Sequence, residues 1–560
     1  MLTLWARSQA IGGNAALLPR PIQVKFLSLF DDAPQIPYSL IHKVFVSELG
    51  RPPSGPGGIF EIFEEKAVAS ASIAQVHKAK LWPRIGPDGK PEKEERWVAV
   101  KVQKPDVSKQ MEWDLGAYRM VMWMFEHWAF DLPVYFVVGK SFNFYPSSQS
   151  ILILKSMQDF ISDHLRQELD FVREANNARQ TAEFVAKEPM LRDKVHIPKV
   201  YPEYSTKKVM VAEWIDGVRL SDKRGIFRLM GEEPPPHFDQ QSSLPDPFSA
   251  TSLVASSISP PTSSLIMPEK PLKGGVKAIM QTMVELFSAQ MFEWGWVHCD
   301  PHPGNVLVRP SPSNPSRPQL VLLDHGLYVR IPEDFKRDWV RLWRAMLVGD
   351  YQGVDTVTRG WGMGLPDLMA SFTLMRPTIL RKGRKKKPDD GRERRPLTQY
   401  EMSVKMKAKL KEFLTDTDRM PKVLIFLTRN MRMVQGLLST LSLRPHFSNS
   451  RTFIGNNQTF GSPVNRVKIT GYWASRSQIR NTNLGIIERV KERWHDLVFR
   501  VVMFSLDVAF WKAKFIIWLR ARFHLGGKGS LGFEEELEKT MRGFAKDSLG
   551  IEVGENVFAG

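Results

Sequence analysis

Short apolar runs and long amphipathic periods alternate along the first half of the chain. β-Branched runs at residues 97–103 and 209–215 predict strands. Apolar positions recur with a helical period over residues 107–130 and 151–187, and a further helix is predicted over residues 31–49. The first half of the chain is therefore predicted to contain both strands and long helices.

The second half of the chain is predicted to be mainly helical. A helix is expected over residues 276–294, and the chain beyond Pro332 is mostly helical in its pattern. Residues 231–275 are rich in Pro and Ser and lack a hydrophobic period, so they are predicted to be disordered. A shorter Pro and Ser insertion covers residues 310–318.

Membrane association is expected at a surface rather than across a bilayer. No stretch of 18 uncharged apolar residues occurs, so no transmembrane helix is predicted. Residues 497–519 are interpreted as a buried or docking helix of the C-lobe, and their aromatic and basic side chains make a membrane-surface helix the alternative. The basic stretch 381–387 is interpreted as a solvated loop, with a phospholipid or acidic-partner site as the alternative.

Composition narrows the class of protein. The chain has 560 residues, enough for a large two-lobed domain with a substantial core. Its formal net charge is +18 without a zinc, helix-turn-helix or RNA-binding signature, so an anionic membrane is preferred to nucleic acid as a partner. Cys299 is the single cysteine, which excludes an intrachain disulfide and a thiolate cluster. Residues 1–30 lack Asp and Glu, as transit peptides do.

Two polar motifs carry the residues that phosphoryl transfer requires. Asp300 and Asn305 lie in the stretch 297–308, and Asp324 follows the next apolar run. An acceptor needs a carboxylate to take or orient its proton, and Mg²⁺ needs hard oxygen ligands such as an amide and a second carboxylate. We therefore predict Asp300 as catalytic and Asn305 and Asp324 as metal ligands, which is the active-site layout of a kinase.

The predicted strand 97–103 carries the other half of a nucleotide site. Its Lys101 stands where kinases have the lysine that contacts the α- and β-phosphates. Upstream, small residues occupy the place of a Gly-rich phosphate loop, and the predicted nucleotide contacts there are Ala69, Ser70, Ala71 and Ser72. Small side chains let the backbone approach phosphate closely, although the positive-φ freedom of Gly is lost.

These motifs resemble the UbiB/ADCK (aarF-domain) family of atypical kinases, from about residue 9 to residue 330 and more loosely beyond. The loop 69–72 is similar to the family's alanine-rich nucleotide loop, and residues 167–177 are similar to its Glu-x-Asp motif and following helix. Residues 298–305 are similar to its catalytic loop. Asp324-His325-Gly326 replaces the usual Asp-Phe-Gly and resembles the branch with mitochondrial inner-membrane members.

The resemblance implies a two-lobed, protein-kinase-like α+β fold that binds ATP or ADP with Mg²⁺. Lys101 is expected to pair with Glu174, with Glu168 as the alternative partner, because a phosphate-binding lysine needs a carboxylate to orient it. Glu213 is expected beside the adenine. The implied regions are an N-terminal extension (1–60), an N-lobe with a helical insert (61–220), the disordered insertion (231–275), a C-lobe (276–480) and a C-terminal helical segment (481–560).

The family's opening Lys-x-Gly-Gln motif is matched here only at Gln9. In the family this element packs over the active site and its Lys meets the Glu-x-Asp acids. Gln9, Glu168 and Asp170 are therefore predicted regulatory residues. Either the element has been lost or the true first exon lies upstream, and the second interpretation is preferred because the match becomes good abruptly at Gln9.

Three functions are compatible with these residues. The preferred one is a UbiB-type kinase or ATPase at the mitochondrial inner membrane, supporting coenzyme Q or lipid homeostasis and possessing a lipid or isoprenoid-quinone ligand; the resemblance alone implies this role. The catalytic loop is also similar to that of choline and aminoglycoside kinases, so a small-molecule kinase is the second. The third is a nucleotide-binding scaffold with little turnover, which the intact Lys, Asp, Asn and Asp set disfavours.

Overall fold

A computed structural model of the chain describes its two lobes and the elements between them. The described residues are 35–71, 73–85, 94–105, 166–232, 270–348, 350–362, 366–374 and 463–480, with isolated positions within 107–116, 421–434 and 485–515. Predictions for residues 1–34, for Ser72, for 233–269 and for the basic stretch 381–387 lie outside these residues. The domain boundaries given above remain predictions.

The N-terminal lobe is built on a five-stranded antiparallel sheet with the order β1-β3-β4-β6 and β2 paired to β3. The strands are β1 (Phe60–Phe63), β2 (Ala69–Ser70), β3 (Ala74–Leu81), β4 (Trp97–Gln103) and β6 (Val209–Glu213). Both predicted strands are present, and the second one ends at Glu213 rather than at residue 215.

Helix α1 (Tyr38–Leu49) covers one face of this sheet. The predicted helix began at residue 31, but the described residues before Tyr38 are not helical, because Pro37 is extended (φ −60°, ψ 146°) and disfavours the helical conformation in Ile36 before it. The helix ends at Gly50, which adopts the left-handed conformation (φ 67°) that glycine tolerates best.

The two faces of β4 have different environments. Val98, Val100 and Val102 are fully buried in the core shared with α1. Because side chains alternate along a strand, Lys101 projects from the opposite face, toward the second lobe. The sheet therefore separates an apolar core on one side from the candidate site on the other.

Helix α2 (Phe171–Lys187) crosses between the lobes. It was predicted to begin far earlier and to carry Glu168, Asp170 and Glu174 on one continuous helix. The structure corrects this: Glu168 lies in a turn, and Asp170 is the N-cap, whose carboxylate accepts hydrogen bonds from the Val172 and Arg173 amides. Asp at this position satisfies the free amides of the first helical turn, so the helix starts after it.

The second lobe combines short strands with helices. One sheet has the order β5-β10-β9-β7, and a second pairs β8 with β11. Their strands are β5 (Val195–His196), β7 (Val218–Arg219), β8 (Trp296–His298), β9 (Val306–Pro310), β10 (Pro318–Leu322) and β11 (Tyr328–Arg330). The predicted Pro and Ser insertion forms the connection between β9 and β10, whose ends pair directly.

Helices form most of the second lobe's core. They are α3 (Lys223–Met230), α4 (Gly275–Ala289), α5 (Glu333–Val348), α6 (Tyr351–Gly360), α7 (Pro366–Leu374) and α8 (Pro463–Ile479). The helix predicted over 276–294 is confirmed as α4 with a final π-helical turn at Gln290–Trp294. Trp339, Trp343 and Trp473 are almost fully buried at the centre of this core.

The described residues between 486 and 515 are helical and mostly exposed. Phe499 and Asp496 are buried, and Asp496 accepts a hydrogen bond from Ser475 of α8, so one side of the segment packs on the lobe. Leu497, Val501 and Phe504 are at least half exposed, so the apolar side chains of this segment are only partly buried against the lobe. Among the described residues, no helix is both long and apolar enough to cross a membrane.

Candidate active site

Lys101 joins three separate parts of the chain at the centre of the candidate site. Its Nζ lies 2.7 and 2.9 Å from the two carboxylate oxygens of Glu174 on α2, and 3.3 Å from Asp324 Oδ2. The expected pairing with Glu174, rather than with Glu168, is therefore present. Glu174 and Asp324 lie 73 and 223 positions after Lys101 along the chain, so the three side chains meet only because the chain folds.

The charges of these three groups depend on one another. Burial alone would lower the pKa of Lys101, but the Asp324 and Glu174 carboxylates outweigh it and raise that pKa. Burial raises the pKa of Glu174, which is almost fully enclosed, although Lys101 opposes the shift. Burial also works against ionisation of Asp324, but Lys101 and the Gly326 amide lower its pKa to about 2. Lys101 is thus cationic and Asp324 anionic at neutral pH.

Asp324 follows β10 and keeps an accessible carboxylate. Its Oδ1 accepts a hydrogen bond from the Gly326 amide at 2.9 Å, and 36% of its side chain is exposed. The predicted partner Asn305 lies close by along the backbone, since its carbonyl oxygen accepts from the Leu323 amide at 2.9 Å. This bond places the ends of the two predicted metal-binding segments next to each other.

An amide oxygen and a carboxylate together suit a magnesium ion. Mg²⁺ is usually held by one or two protein oxygens together with substrate phosphates and water, not by a cage of protein ligands. Within the described part of the chain, no group of three or more His, Cys, Asp or Glu side chains could hold a metal ion alone. The donor set of Asn305 and Asp324 fits the Mg²⁺ predicted from the sequence.

The loop with Asp300 is braced against the segment after Asp324. Strand β8 leads into this loop and pairs with β11, and the Cys299 amide donates to the Leu327 carbonyl at 3.0 Å. His302 donates its amide to the Asp300 carbonyl, and the turn Pro303–Asn305 follows. Cys299 is fully buried, as expected of a small residue that fills space behind the loop.

The small-residue loop is a tight hairpin beside Lys101. Strand β2 pairs with β3, and the turn is closed by the Ala71 amide donating to the Ala74 carbonyl at 2.8 Å. Ala74 is buried with Phe171 and Met210. Of the predicted contacts, Ala69, Ser70 and Ala71 lie on this hairpin, and the register sets Val76 opposite Lys101.

Strand β6 presents different residues to the two faces of the sheet. Met210 is paired with Lys101 and Ala212 with Ala99, so they share the face of the candidate site. Glu213 lies on the other face, where its carboxylate contacts His196 Nε2 at 3.0 Å and accepts from the Lys199 amide at 3.1 Å. Burial opposes ionisation, but these bonds lower the pKa of Glu213. Its predicted nucleotide contact stays a prediction.

The residue after Asp324, His325, is buried and fully hydrogen-bonded. Its Nδ1 lies 2.9 Å from Tyr328 Oη and its Nε2 lies 3.2 Å from the Leu322 carbonyl oxygen. A carbonyl only accepts, so Nε2 carries the proton and Tyr328 donates to Nδ1. Burial and the neighbouring His298 lower the pKa of His325 to about 3, so the ring is neutral.

Sequence reasoning missed Asn177 as a contributor to the site. Asn177 lies about one turn after Glu174 on the same helix. Its Nδ2 donates to the His325 carbonyl oxygen at 2.9 Å. Asn177 is buried, and a polar side chain three positions from the predicted Lys101 partner is the signal that could have identified it.

The predicted regulatory residues lie at the edge of this arrangement. Glu168 is close to the Asp324 loop, since its Cγ is 3.8 Å from where a Cβ on Gly326 would lie. Asp170 caps α2. Gln9 lies outside the described residues. Regulatory roles for all three stay predictions.

The site lies between a β-sheet lobe and a helical lobe. In it, a lysine–carboxylate pair faces a loop that carries a carboxylate and an amide side chain, and this arrangement is typical of kinase-like proteins. The family model of the ABC1 atypical kinase-like domain matches residues 28–236 and 264–358. The chain belongs to this family. The expected α+β, kinase-like fold is thereby confirmed.

Individual relatives agree with this assignment. The ABC1 family protein lscO of Purpureocillium lilacinum is 35% identical over 95% of this chain and 76% of its own length. The ABC1 family protein C10F6.14c of Schizosaccharomyces pombe is 33% identical over 82% of this chain and 67% of its own length. The AarF domain-containing protein kinase 1 of Xenopus laevis is 30% identical over 61% of this chain and 51% of its own length.

Proposed function

We propose that the protein binds ATP or ADP with Mg²⁺ at Lys101 and acts as an atypical kinase or ATPase. The contact of Lys101 with both Glu174 and Asp324 carries this proposal. A lysine that contacts phosphates must be held by a carboxylate and must lie beside the metal ligand. The contacts of Lys101 with Glu174 and with Asp324, the proposed metal ligand, support this role.

Each residue of the site has a distinct part in this proposal. Lys101 binds the α- and β-phosphates, and the hairpin with Ala69 and Ala71 lets the backbone approach them. Asn305 and Asp324 hold Mg²⁺, which neutralises phosphate charge when bound. Asp300 orients the attacking hydroxyl or water and takes up its proton.

The metal assignment is tested by nucleotide binding. We expect ADP to raise the melting temperature of the wild type in the presence of Mg²⁺, and Asp324→Asn and Asn305→Ala to reduce that shift. Asn305→Ala removes an oxygen ligand of a doubly charged ion, and Asp324→Asn removes the negative charge of its carboxylate ligand; each is a large local contribution to binding. Equal shifts in wild type and both variants would contradict the assignment.

The catalytic assignment needs a separate comparison. Asp300→Asn should reduce ATP turnover far more than nucleotide affinity, because the carboxylate acts on the nucleophile and not on the bound nucleotide. Parallel losses of affinity and turnover would make Asp300 a structural residue.

Two alternatives to this function remain distinguishable by experiment. A small-molecule kinase would phosphorylate an alcohol such as choline in a screen of acceptors. A nucleotide-binding scaffold would bind Mg-ADP without measurable turnover. Two relatives in Dictyostelium discoideum bear the name "Probable serine/threonine-protein kinase", which favours phosphoryl transfer over a scaffold role.

We further propose association with an anionic membrane surface, at the mitochondrial inner membrane. The formal net charge of +18 supports it. So does a row of exposed apolar side chains spaced three or four residues apart along the C-terminal segment: Ile487, Val490, Trp494, Leu497, Val501, Phe504 and Val508. A lipid or isoprenoid-quinone ligand and a role in coenzyme Q or lipid homeostasis are part of the same proposal.

Vesicle flotation tests the membrane proposal. The protein should float with vesicles that contain anionic lipid and less with neutral ones, and a Val501→Glu/Phe504→Glu variant should float less with both. If the variant floats as much as the wild type, the membrane-binding surface lies in another part of the chain. Fractionation of cells that express the endogenous gene tests the location, and a cytosolic product would contradict it.

A further inference from the structure

Helix α2 turns a polar face toward the loop that holds Asp324. Glu174, Asn177 and Thr181 are spaced three and four residues apart, so they share one side of the helix. All three are buried, and a buried polar side chain is costly unless it is hydrogen-bonded. Their partners therefore define what this side of the helix holds in place.

Two of these side chains hold different parts of the candidate site. The Glu174 carboxylate accepts hydrogen bonds from Lys101 Nζ at 2.7 and 2.9 Å, and Asn177 holds the backbone of His325. Asn177 Nδ2 donates to the His325 carbonyl oxygen at 2.9 Å. Since the His325 ring is bonded to Tyr328 and Leu322, both the backbone and the side chain of this residue are fixed.

One peptide group connects Asn177 to Asp324. The His325 carbonyl and the Gly326 amide belong to the same planar unit. Asn177 donates to the carbonyl oxygen of this peptide, and the N–H of the same peptide, from Gly326, donates to Asp324 Oδ1 at 2.9 Å. If the peptide plane rotated, the amide would no longer point at Asp324 Oδ1, and the carboxylate would lose its orientation.

The backbone of Asn177 is bonded to Thr181, one turn further along the same helix. Thr181 Oγ1 donates to the Asn177 carbonyl oxygen at 2.8 Å and accepts from Trp296 Nε1 at 3.2 Å. Trp296 lies on β8, which leads into the loop with Asp300. The polar face of α2 is therefore connected to both candidate loops.

We propose that Asn177 is a positioning residue that orients the Asp324 carboxylate for Mg²⁺ through the peptide between His325 and Gly326. This inference rests on the proposed function, because it assigns Asn177 a role in metal binding. Groups that orient a metal ligand from behind typically change metal affinity by about 10–100-fold when they are removed. Asn177 does not contact the nucleotide or the metal in this proposal.

The test uses the full chain and compares Asn177→Asp and Asn177→Ala with Asn176→Ala. Asn177→Asp keeps the side-chain volume but loses the amide donor. Asn176 is the adjacent residue of the same helix, of the same type and exposed, which makes it a matched control. Calorimetry measures ADP affinity without Mg²⁺ and at a series of Mg²⁺ concentrations, and hydrogen exchange follows the amides of residues 322–328.

Both Asn177 variants should need about tenfold more Mg²⁺ for half-maximal binding, while metal-free ADP affinity stays within about twofold. Exchange at residues 322–328 should be faster in these variants and unchanged in Asn176→Ala. If Asn177→Ala does not fold, the Mg²⁺ dependence and hydrogen exchange of Asn177→Asp alone test the proposal.

Three results would overturn this inference in distinguishable ways. A wild type that binds no nucleotide with Mg²⁺ contradicts the proposed function and this inference with it. A wild type that binds normally, with Asn177→Asp matching it in Mg²⁺ dependence and exchange, contradicts this inference alone. Equal losses of metal-free and metal-bound affinity in Asn177→Asp would make Asn177 a structural residue only.

Discussion

Helices α1 and α2 flank opposite faces of the N-terminal sheet, and they bury opposite kinds of residue. Helix α1 buries Ile41, Val44 and Phe45 in an apolar core. Helix α2 buries Glu174, Asn177 and Thr181 among its apolar side chains. An apolar face needs only a complementary volume, whereas a buried polar face needs partners at defined positions and angles.

This difference separates what stabilises the lobe from what arranges the candidate site. The contacts of α1 could be repacked with other apolar residues of similar volume without a change in chemistry. The contacts of α2 fix the Lys101 ammonium and the peptide group between His325 and Gly326. Substitutions on α1 should therefore act on stability, and substitutions around His325 should act on stability and on binding together.

The largest expected change in stability comes from the apolar helix. Phe45 is fully buried, and its ring packs edge-on against those of Phe60 and Phe63. Phe45→Ala should lower the free energy of unfolding by about 3–5 kcal/mol because it leaves a cavity. Below the melting temperature, nucleotide affinity should match that of the wild type, as measured by calorimetry.

The neighbouring Val46 provides the control for this prediction. It is exposed on the same helix, so Val46→Ala should change the free energy of unfolding by less than about 0.5 kcal/mol. A loss of nucleotide affinity in folded Phe45→Ala would mean that α1 also shapes the site, and the contrast between the two helices would fail.

A smaller effect is expected where His325 replaces the usual Phe. His325→Phe leaves the Tyr328 hydroxyl and the Leu322 carbonyl without this partner in a buried place, at a cost of about 1–3 kcal/mol in unfolding free energy. Tyr328→Phe alone leaves Nδ1 unpaired. The double variant should cost less than the sum of the two, because it removes both members of one bond.

Additive effects in chemical denaturation would contradict this coupling between His325 and Tyr328. The control is Tyr472→Phe, since Tyr472 lies on α8 with a partly exposed side chain and its effect should add to that of His325→Phe.

The sequence was informative wherever chemistry prescribes residue type and order. Lys101, Glu174 and Asp324 could be recognised because a phosphate-binding lysine and a metal ligand must be accompanied by carboxylates. Asn177 and the bonds of His325 could not, because nothing in a sequence states which backbone carbonyl a buried amide will reach. These contacts depend on how α2 meets the loop after β10, which is a property of the fold.

The predicted starts of the helices were wrong for a related reason. A hydrophobic period fixes where a helix lies but not where it starts, and the starts of α1 and α2 are set by Pro37 and Asp170. Strands β5 and β7 contain two residues each, too few to show an alternating pattern. The register that turns Glu213 away from Lys101 is likewise decided by pairing between strands.

The smallest expected effect is at Asp170, where cap and charge can be separated. Its carboxylate accepts from the Val172 and Arg173 amides, so Asp170→Ala should lower the free energy of unfolding by about 1 kcal/mol. Asp170→Asn keeps a capping oxygen and should restore most of that stability in chemical denaturation. If Asp170 serves only to start α2, Asp170→Asn should also bind nucleotide and Mg²⁺ as the wild type does. If its charge regulates the site, as the resemblance implied, Asp170→Asn should be stable yet altered in turnover, and wild-type turnover would contradict that role.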